Sequence, residues 1–198
     1  MGIVQKAPVQ FFADAIAKFG KWHGRGLDIG CGTGRHLPLL IESFSEVHGC
    51  DASQKAIALV PAGIAARTTL TVSPFFPMPY SDGYFDFVMS SAAVYHGTPE
   101  DVKKAFAEMR RVLIRKGIAA IDLVAREILA ETSIRMIGED AFAFLEGPEA
   151  DIPHVCFDEA KARQWLEGFE IISIERKNQT AVFQKSEVER ILVIAEKL

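Results

Sequence analysis

The chain has 198 residues, 49% hydrophobic and 24% charged, with a formal net charge of −4. That length suits one domain with a full core, and the acidic balance excludes a general attraction to nucleic acid or to an anionic membrane surface. No apolar stretch approaches a membrane span, Met1–Lys6 lack the regions of a signal peptide, and the odd set Cys31, Cys50 and Cys156 fits free thiols in a reducing cytoplasm.

In chain order, residues 8–22 read as a helix, with Pro8 near its start and Phe11, Phe12, Ala15, Ile16 and Phe19 on one side. Such a helix packs on the sheet edge or covers a ligand. Residues 26–36 follow as a short apolar run, a glycine turn and the start of a helix placed at 34–44. Gly30, Gly32 and Gly34 stand at every second position, where the backbone needs positive φ or a close approach. A P-loop would continue Gly-Lys-Ser/Thr, but Gly34 is followed by Arg35-His36. The dinucleotide spacing G-x-G-x-x-G fails from Gly30 and from Gly32, so a nicotinamide oxidoreductase is disfavoured. Asp28, two residues before the first glycine, would repel a pyrophosphate in a partly dry pocket. A ligand that is cationic at this end fits better.

Glu46–Asp51 reads as a second strand ending in an acid, and Ser53 as the cap of a helix through Ala56, Ile57 and Val60. Asp51 lies where an adjacent-strand carboxylate accepts from a ribose hydroxyl. Thr69–Val72 is a third strand, and residues 73–83 form a proline-stiffened loop with Phe75 and Phe76. Residues 84–91 are a nearly continuous apolar run, as in the middle of a parallel sheet, followed by Tyr95-His96. Thr98-Pro99-Glu100-Asp101 opens a helix with a capping box. Arg115-Lys116-Gly117 reads as its exit turn before a strand at 118–124. Arg110, Arg111, Arg115 and Lys116 form a basic cluster that reads as a solvated helix end. Residues 125–157 are less regular, with a short helix near 126–137. His154 and Cys156 are two metal-type donors, short of the four a structural site needs, and no metal is expected. Phe157-Asp158-Glu159 opens another helix, and 169–174 and 191–195 read as two last strands, antiparallel because no crossover helix joins them.

Leu27-Asp28-Ile29-Gly30-Cys31-Gly32-Thr33-Gly34 resembles the first motif of class I S-adenosylmethionine-dependent methyltransferases, (E/D)-x-G-x-G-x-G. Asp51-Ala52-Ser53 resembles the family's D-x-S, Phe85-Asp86-Phe87-Val88 its F-D-x-V, and Glu108-Met109-Arg110-Arg111-Val112-Leu113 its E-x-x-R-V-L. The resemblance implies an α/β fold: a seven-stranded, mostly parallel Rossmann-like sheet with an antiparallel last strand and helices on both faces. It further implies S-adenosylmethionine as cofactor, bound by Asp28, Gly30, Cys31, Gly32, Gly34, Asp51, Ala52, Pro74, Phe75 and Ser90. The family's acid after the third strand is absent, since Ser73-Pro74 stands there, so the adenine contact falls to backbone and Phe75. Tyr95 and His96 resemble the aromatic–His pair near the transferred methyl group, His96 as a base and Tyr95 as an orienting ring. Residues 1–198 are read as a single domain in which 125–157 shapes the acceptor pocket. With no appended recognition domain and no Asn-Pro-Pro-Tyr motif, the expected acceptor is a small molecule rather than nucleic acid. A module that binds the cofactor without catalysis is the alternative.

Overall fold

The structure, a computed structural model, describes residues 7–21, 23–130, 133–180 and 187–198. Residues 1–6, read above for a leader, Trp22, the last residue of the helix expected over 8–22, 131–132 within the helix expected near 126–137, and 181–186 in the link between the last two strands lie outside the described residues.

Seven strands form one sheet in the order β3-β2-β1-β4-β5-β10-β9. They are β1 (Arg25–Ile29), β2 (Glu46–Asp51), β3 (Thr69–Val72), β4 (Phe85–Ser90), β5 (Leu113–Val124), β9 (Phe169–Thr180) and β10 (Glu187–Lys197). The pairs β1/β2, β1/β4, β2/β3 and β4/β5 are parallel. β10 slots antiparallel between β5 and β9 and, among the described residues, is the one reversed strand of this sheet. The expected mixed topology is therefore present. Parallel strands covered on both faces must be apolar on both, and Phe85, Phe87, Val88 and Met89 of β4 are all buried.

The helices divide between the faces. On one side α1 (Gln10–Phe19) and α2 (Leu37–Ser43) bury Phe12, Ile16, Leu37, Leu40 and Phe44 against Phe87, Met89, Ile118 and Ala120. So α1 lies on a face of the sheet rather than along its edge. The helix expected after Ser53 is broken into two single turns, α3 (Gln54–Ile57) and α4 (Ala62–Ala65), because Pro61 interrupts it. Ser53 caps the first as expected, accepting from Ala56 N–H at 3.2 Å. On the other side α5 (Pro99–Val112), with the expected Thr98/Asp101 capping box, and α6 (Glu159–Trp165) cover Phe106, Met109, Phe157 and Leu166.

Two local readings are corrected. Strand β5 begins at Leu113, directly after α5, so Arg115-Lys116-Gly117 belongs to the strand. Pairing with β4 shifts register between Phe85 and Phe87, and Lys116 takes φ +63°, so the extra residues are absorbed as an irregularity instead of a separate turn. The basic cluster is not simply solvated either. Arg111 donates to Glu108, to Tyr80 O at 2.8 Å and to Met78 O at 3.2 Å, and Glu108 accepts from Met78 N–H at 2.6 Å, which fastens the 73–83 loop to α5.

The segment 125–157 is also more regular than its sequence. A 3-10 turn (Arg126–Ala130) leads into a second, antiparallel sheet of β6 (Ile134–Met136), β7 (Ala141–Phe144) and β8 (Pro153–Val155). Strands of three or four residues are too short to show alternation in a sequence. They hold because Phe142 and Val155 are buried against the main core.

Candidate active site

The glycine turn sits at the carboxyl end of β1, beside the ends of β2 and β4, where an open parallel sheet leaves a crevice. Gly30 and Cys31 both donate N–H to Cys50 O, at 2.8 and 3.0 Å, so β2 pins the start of the turn. Gly30 has φ +73°, and a Cβ there would lie 2.3 Å from that of Ala93. Only glycine allows that approach of the turn to the segment after β4. Gly32 has φ +55°, and a Cβ there would meet nothing within 4 Å, so the turn opens to free space at this residue. Gly34 N–H closes the turn on Cys31 O at 2.9 Å. The helix starts at Leu37, not at 34, so residues 34–36 are turn rather than helix. His36 Nε2 accepts from Val9 N–H at 3.2 Å, tying the start of α1 to this turn, and burial together with Arg35 pushes its pKa down to about 3.

Asp28 is 1% exposed, and neither carboxylate oxygen has a hydrogen-bond partner. Burial raises its pKa to about 8; the Arg35 guanidinium opposes the rise and Asp51 adds to it. An unpartnered buried carboxylate is costly unless a cation or donor completes it. Arg35 donates to Ser91 Oγ at 3.0 Å and feels the charges of Asp122 and Asp28, while burial pulls its pKa down. A carboxyl group that a cation would ionise and a guanidinium thus stand side by side at the open turn. Asp51 Oδ2 accepts from Gly32 N–H at 2.9 Å and Oδ1 from Ser53 N–H at 2.7 Å, which fixes the carboxylate and leaves each oxygen a further lone pair. These residues fit a donor nucleoside carrying an ammonium and a sulfonium: the orphaned carboxylate meets the cation, and Gly32 leaves room.

The other expected contacts divide. Phe75 is half-buried, and its ring edge lies 3.5 Å from where a Cβ on Gly30 would sit, so it flanks the turn. Pro74 and Ala52 are exposed, and Cys31 is buried with its pKa pushed far up by burial. Ser73, at the position of the family's acid, is buried and donates to Pro74 O at 2.9 Å. Ser90 is fully buried and donates to Ile29 O at 2.9 Å, so its side chain is a strap between β4 and β1.

After β4, Ala92 takes φ +52°, unusual for a residue with a Cβ, and its N–H donates to Asp122. Tyr95 is buried, and its hydroxyl accepts from Arg190 of β10; burial pushes its pKa up to about 12 against the pull of Arg190. The side chain is an internal anchor and not an open ring. Burial, then His154, pushes the His96 pKa down to about 4. His96 is therefore neutral near pH 7, but a weaker base than its residue type implies. Its Nε2 is buried without a partner, 3.8 Å from Glu149 Oε1. Burial disfavours the Glu149 charge, yet the His154 hydrogen bond and the neighbouring positive groups hold its pKa below the usual value.

Sequence reasoning missed Arg35, Asp122, Glu149 and Arg190. Asp122 and Arg190 carry a visible signal, each a charge set in an apolar strand and buried at 2% and 8% exposure. Together buried and half-buried charges alternate: Asp28, Arg35, Asp122, Arg190 and Glu149, each influencing the next.

Residues 27–121 match the family model described as a methyltransferase domain. Over that stretch, just under half of the chain, the sequence is similar to methyltransferase domains. An uncharacterized methyltransferase of Synechocystis sp. is 32% identical over 95 residues, which are 48% of this chain. That match spans 44% of the relative's own length. A S-adenosylmethionine-dependent methyltransferase structure from Methanosarcina mazei superposes with TM-score 0.79 at 21% identity, covering 93% of this chain and 97% of that one. The 1,6-didemethyltoxoflavin-N1-methyltransferase of Burkholderia thailandensis, solved with 1,6-didemethyltoxoflavin and S-adenosylhomocysteine, superposes with TM-score 0.74 at 18% identity, covering 95% and 76%. The methyltransferase domain match includes the glycine turn, Asp51 and Tyr95-His96, and ends before the three-stranded sheet.

Proposed function

We propose that the chain transfers a methyl group from S-adenosylmethionine to a nucleophilic atom of a small molecule, with residues 1–198 acting as one domain. The observation that carries this reading is the buried, unpartnered carboxylate of Asp28 beside the open Gly32. In this reading Asp28 meets the cofactor's ammonium and Arg35 its carboxylate, so the zwitterion is matched by two charges in a dry site. Gly30, Cys31, Gly32 and Gly34 shape the turn around it, Asp51 and Ala52 sit at the ribose, and Pro74 and Phe75 border the adenine. Ser90 acts from behind, holding β4 against β1.

The cofactor supplies a methyl group already activated by its sulfonium. The chain's task is then position and dryness, which can contribute roughly 7–11 kcal/mol when the reacting atoms are held in line. Neutral His96 offers a lone pair on the acceptor side, and Tyr95 fixes the segment after β4 by its bond to Arg190. The sheet of β6, β7 and β8 walls the acceptor. A small acceptor is favoured by the net charge of −4 and by the structural neighbour solved with 1,6-didemethyltoxoflavin. Three buried free thiols suit a reducing cytoplasm. Among the described residues no helix is long and apolar enough to cross a membrane.

The test is calorimetry with S-adenosylhomocysteine, followed by labelled methyl transfer to a panel of thiols, phenols and ring nitrogens. Binding with transfer to one class supports the reading, and His96→Ala should then lower turnover. Binding without transfer to any acceptor, given that Ser73-Pro74 replaces the family's acid, makes the chain a cofactor-sensing module. Failure to bind at millimolar excess ends both.

A further inference from the structure

Outside the glycine turn, one group of side chains brings lone pairs together with too few donors. His96 lies after β4; Glu149 and His154 come from the segment that ends in β8. One ligand-type atom from each lies within 4.8 Å of the others. His154 Nε2 is 3.3 Å from Glu149 Oε2, and His96 Nε2 is 3.8 Å from Glu149 Oε1. We propose that His96, Glu149 and His154 hold one divalent transition-metal ion of the zinc class, with a fourth position left for a small ligand.

The spacing fits. Zinc takes nitrogen and carboxylate oxygen at about 2.0–2.2 Å, so the edges of a tetrahedral donor set are about 3.3–3.6 Å. The 3.3 Å separation already falls in that range, the 3.8 Å one is slightly longer and goes to the other oxygen of Glu149, and the three donors, within 4.8 Å of one another, would draw together around an ion. The hydrogen bonding fits as well. His154 Nδ1 lies 2.7 Å from Ile152 O, and a carbonyl only accepts, so the proton is on Nδ1. That leaves the neutral ring with its Nε2 lone pair facing a carboxylate oxygen, a contact that calls for a second ring proton or a metal ion between the two. An Nδ1–H bonded to backbone carbonyl is also the usual outer support of a metal-binding histidine. His96 Nε2, buried and unpartnered, supplies the third lone pair.

The two histidines sit on paired backbone. Gly97 N–H bonds Pro153 O at 2.7 Å and Val155 N–H bonds Tyr95 O at 2.9 Å, so the chain around His96 and that around His154 form one bridge. The His154 ring stacks on Phe142 with centroids 5.2 Å apart. Nearby Arg190 is positive, but Asp122 and Glu149 oppose it with two negative charges, and the cluster can accept a dication. Cys156 plays no part, since its Sγ turns to Asp140 O at 3.3 Å. The donor set therefore differs from the His154–Cys156 pair that the sequence brings to mind. Two histidines and a glutamate with an open position are a catalytic-type set. The ion's role rests on the methyl-transfer reading: its open position would take the acceptor's oxygen or sulfur. The site itself does not rest on it.

The test uses the full chain, stripped with a chelator and titrated with Co2+ while the visible d–d absorption is followed, then with Zn2+ in competition. Metal per chain is counted after dialysis. One ion per chain in a low-symmetry, four- or five-coordinate spectrum is expected, weakened about a hundredfold in Glu149→Gln and in His154→Gln. S-adenosylhomocysteine affinity and thermal melting of both variants show that they remain folded. No stoichiometric Co2+ uptake, or a spectrum that survives Glu149→Gln, would overturn the site and leave a shared proton as the link between these groups. Because no arm of the test reads methyl transfer, failure of the site is separate from failure of the methyltransferase reading.

Discussion

The two ends of the buried charge row differ in how they are built. At the glycine turn the key groups lie within a short stretch: Asp28, Gly30, Gly32 and Arg35 are joined to Asp51 of the neighbouring strand by one bond, Gly32 N–H to Asp51. At the other end His96, Asp122, Arg190 and the pair Glu149 and His154 come from four separate parts of the chain. The first end is made by local geometry and carries a recognisable spacing. The second is made by strand insertion: β10 enters between β5 and β9 and delivers Arg190 beside Tyr95. A fold can thus keep one cluster of charges in a local motif while another is assembled from distant segments.

The comparison breaks first if the His96–Arg190 end does not depend on its buried cation. Arg190→Leu leaves Asp122 buried without its counter-charge and frees the Tyr95 hydroxyl, and should destabilise by about 3–5 kcal/mol in urea unfolding. A wild-type midpoint would show that the charge row is not coupled there. At the other end Asp28→Asn should weaken S-adenosylhomocysteine by about 2–5 kcal/mol in calorimetry, while raising the melting temperature of the ligand-free protein. A variant that binds less well and is also less stable would contradict the orphaned-carboxylate account.

A pH series sharpens the same point. Burial raises the Asp28 pKa from 3.8 to about 8, so the folded protein holds this proton more tightly than the unfolded chain. The group's contribution to stability is full below pH 3.8 and is lost as pH rises through about 8. Binding runs the other way, because the ionised carboxylate meets the cation. From pH 6 to 8 affinity should rise by up to about tenfold per pH unit in the wild type and stay flat in Asp28→Asn. Asp51→Ala, which removes the acceptor of Gly32 and Ser53 N–H groups, should cost about 1–3 kcal/mol of cofactor affinity by calorimetry. The smallest effect serves as a control: Thr98→Ala removes the α5 cap, lowers stability by about 1 kcal/mol in thermal unfolding and leaves cofactor affinity unchanged.

The sequence by itself determined the sheet strands before Val72, the capped start of α5 and the glycine turn with Asp28 and Asp51. Each depends on residues close in the chain, whose φ, alternation or capping chemistry is fixed locally. It also pointed to the antiparallel final pair, because the stretch between the two strands carries no helical pattern in its sequence. Only the tertiary structure decided that Tyr95 and Ser90 face inward, that Arg111 fastens the loop before β4, and that Glu149 and His154 meet His96. Those outcomes depend on which strands pair and how deeply each side chain is buried, and burial also turned His96 from an ordinary base into a neutral donor of a lone pair. Desolvation is a property of everything packed around a group, so no run of neighbouring residues encodes it.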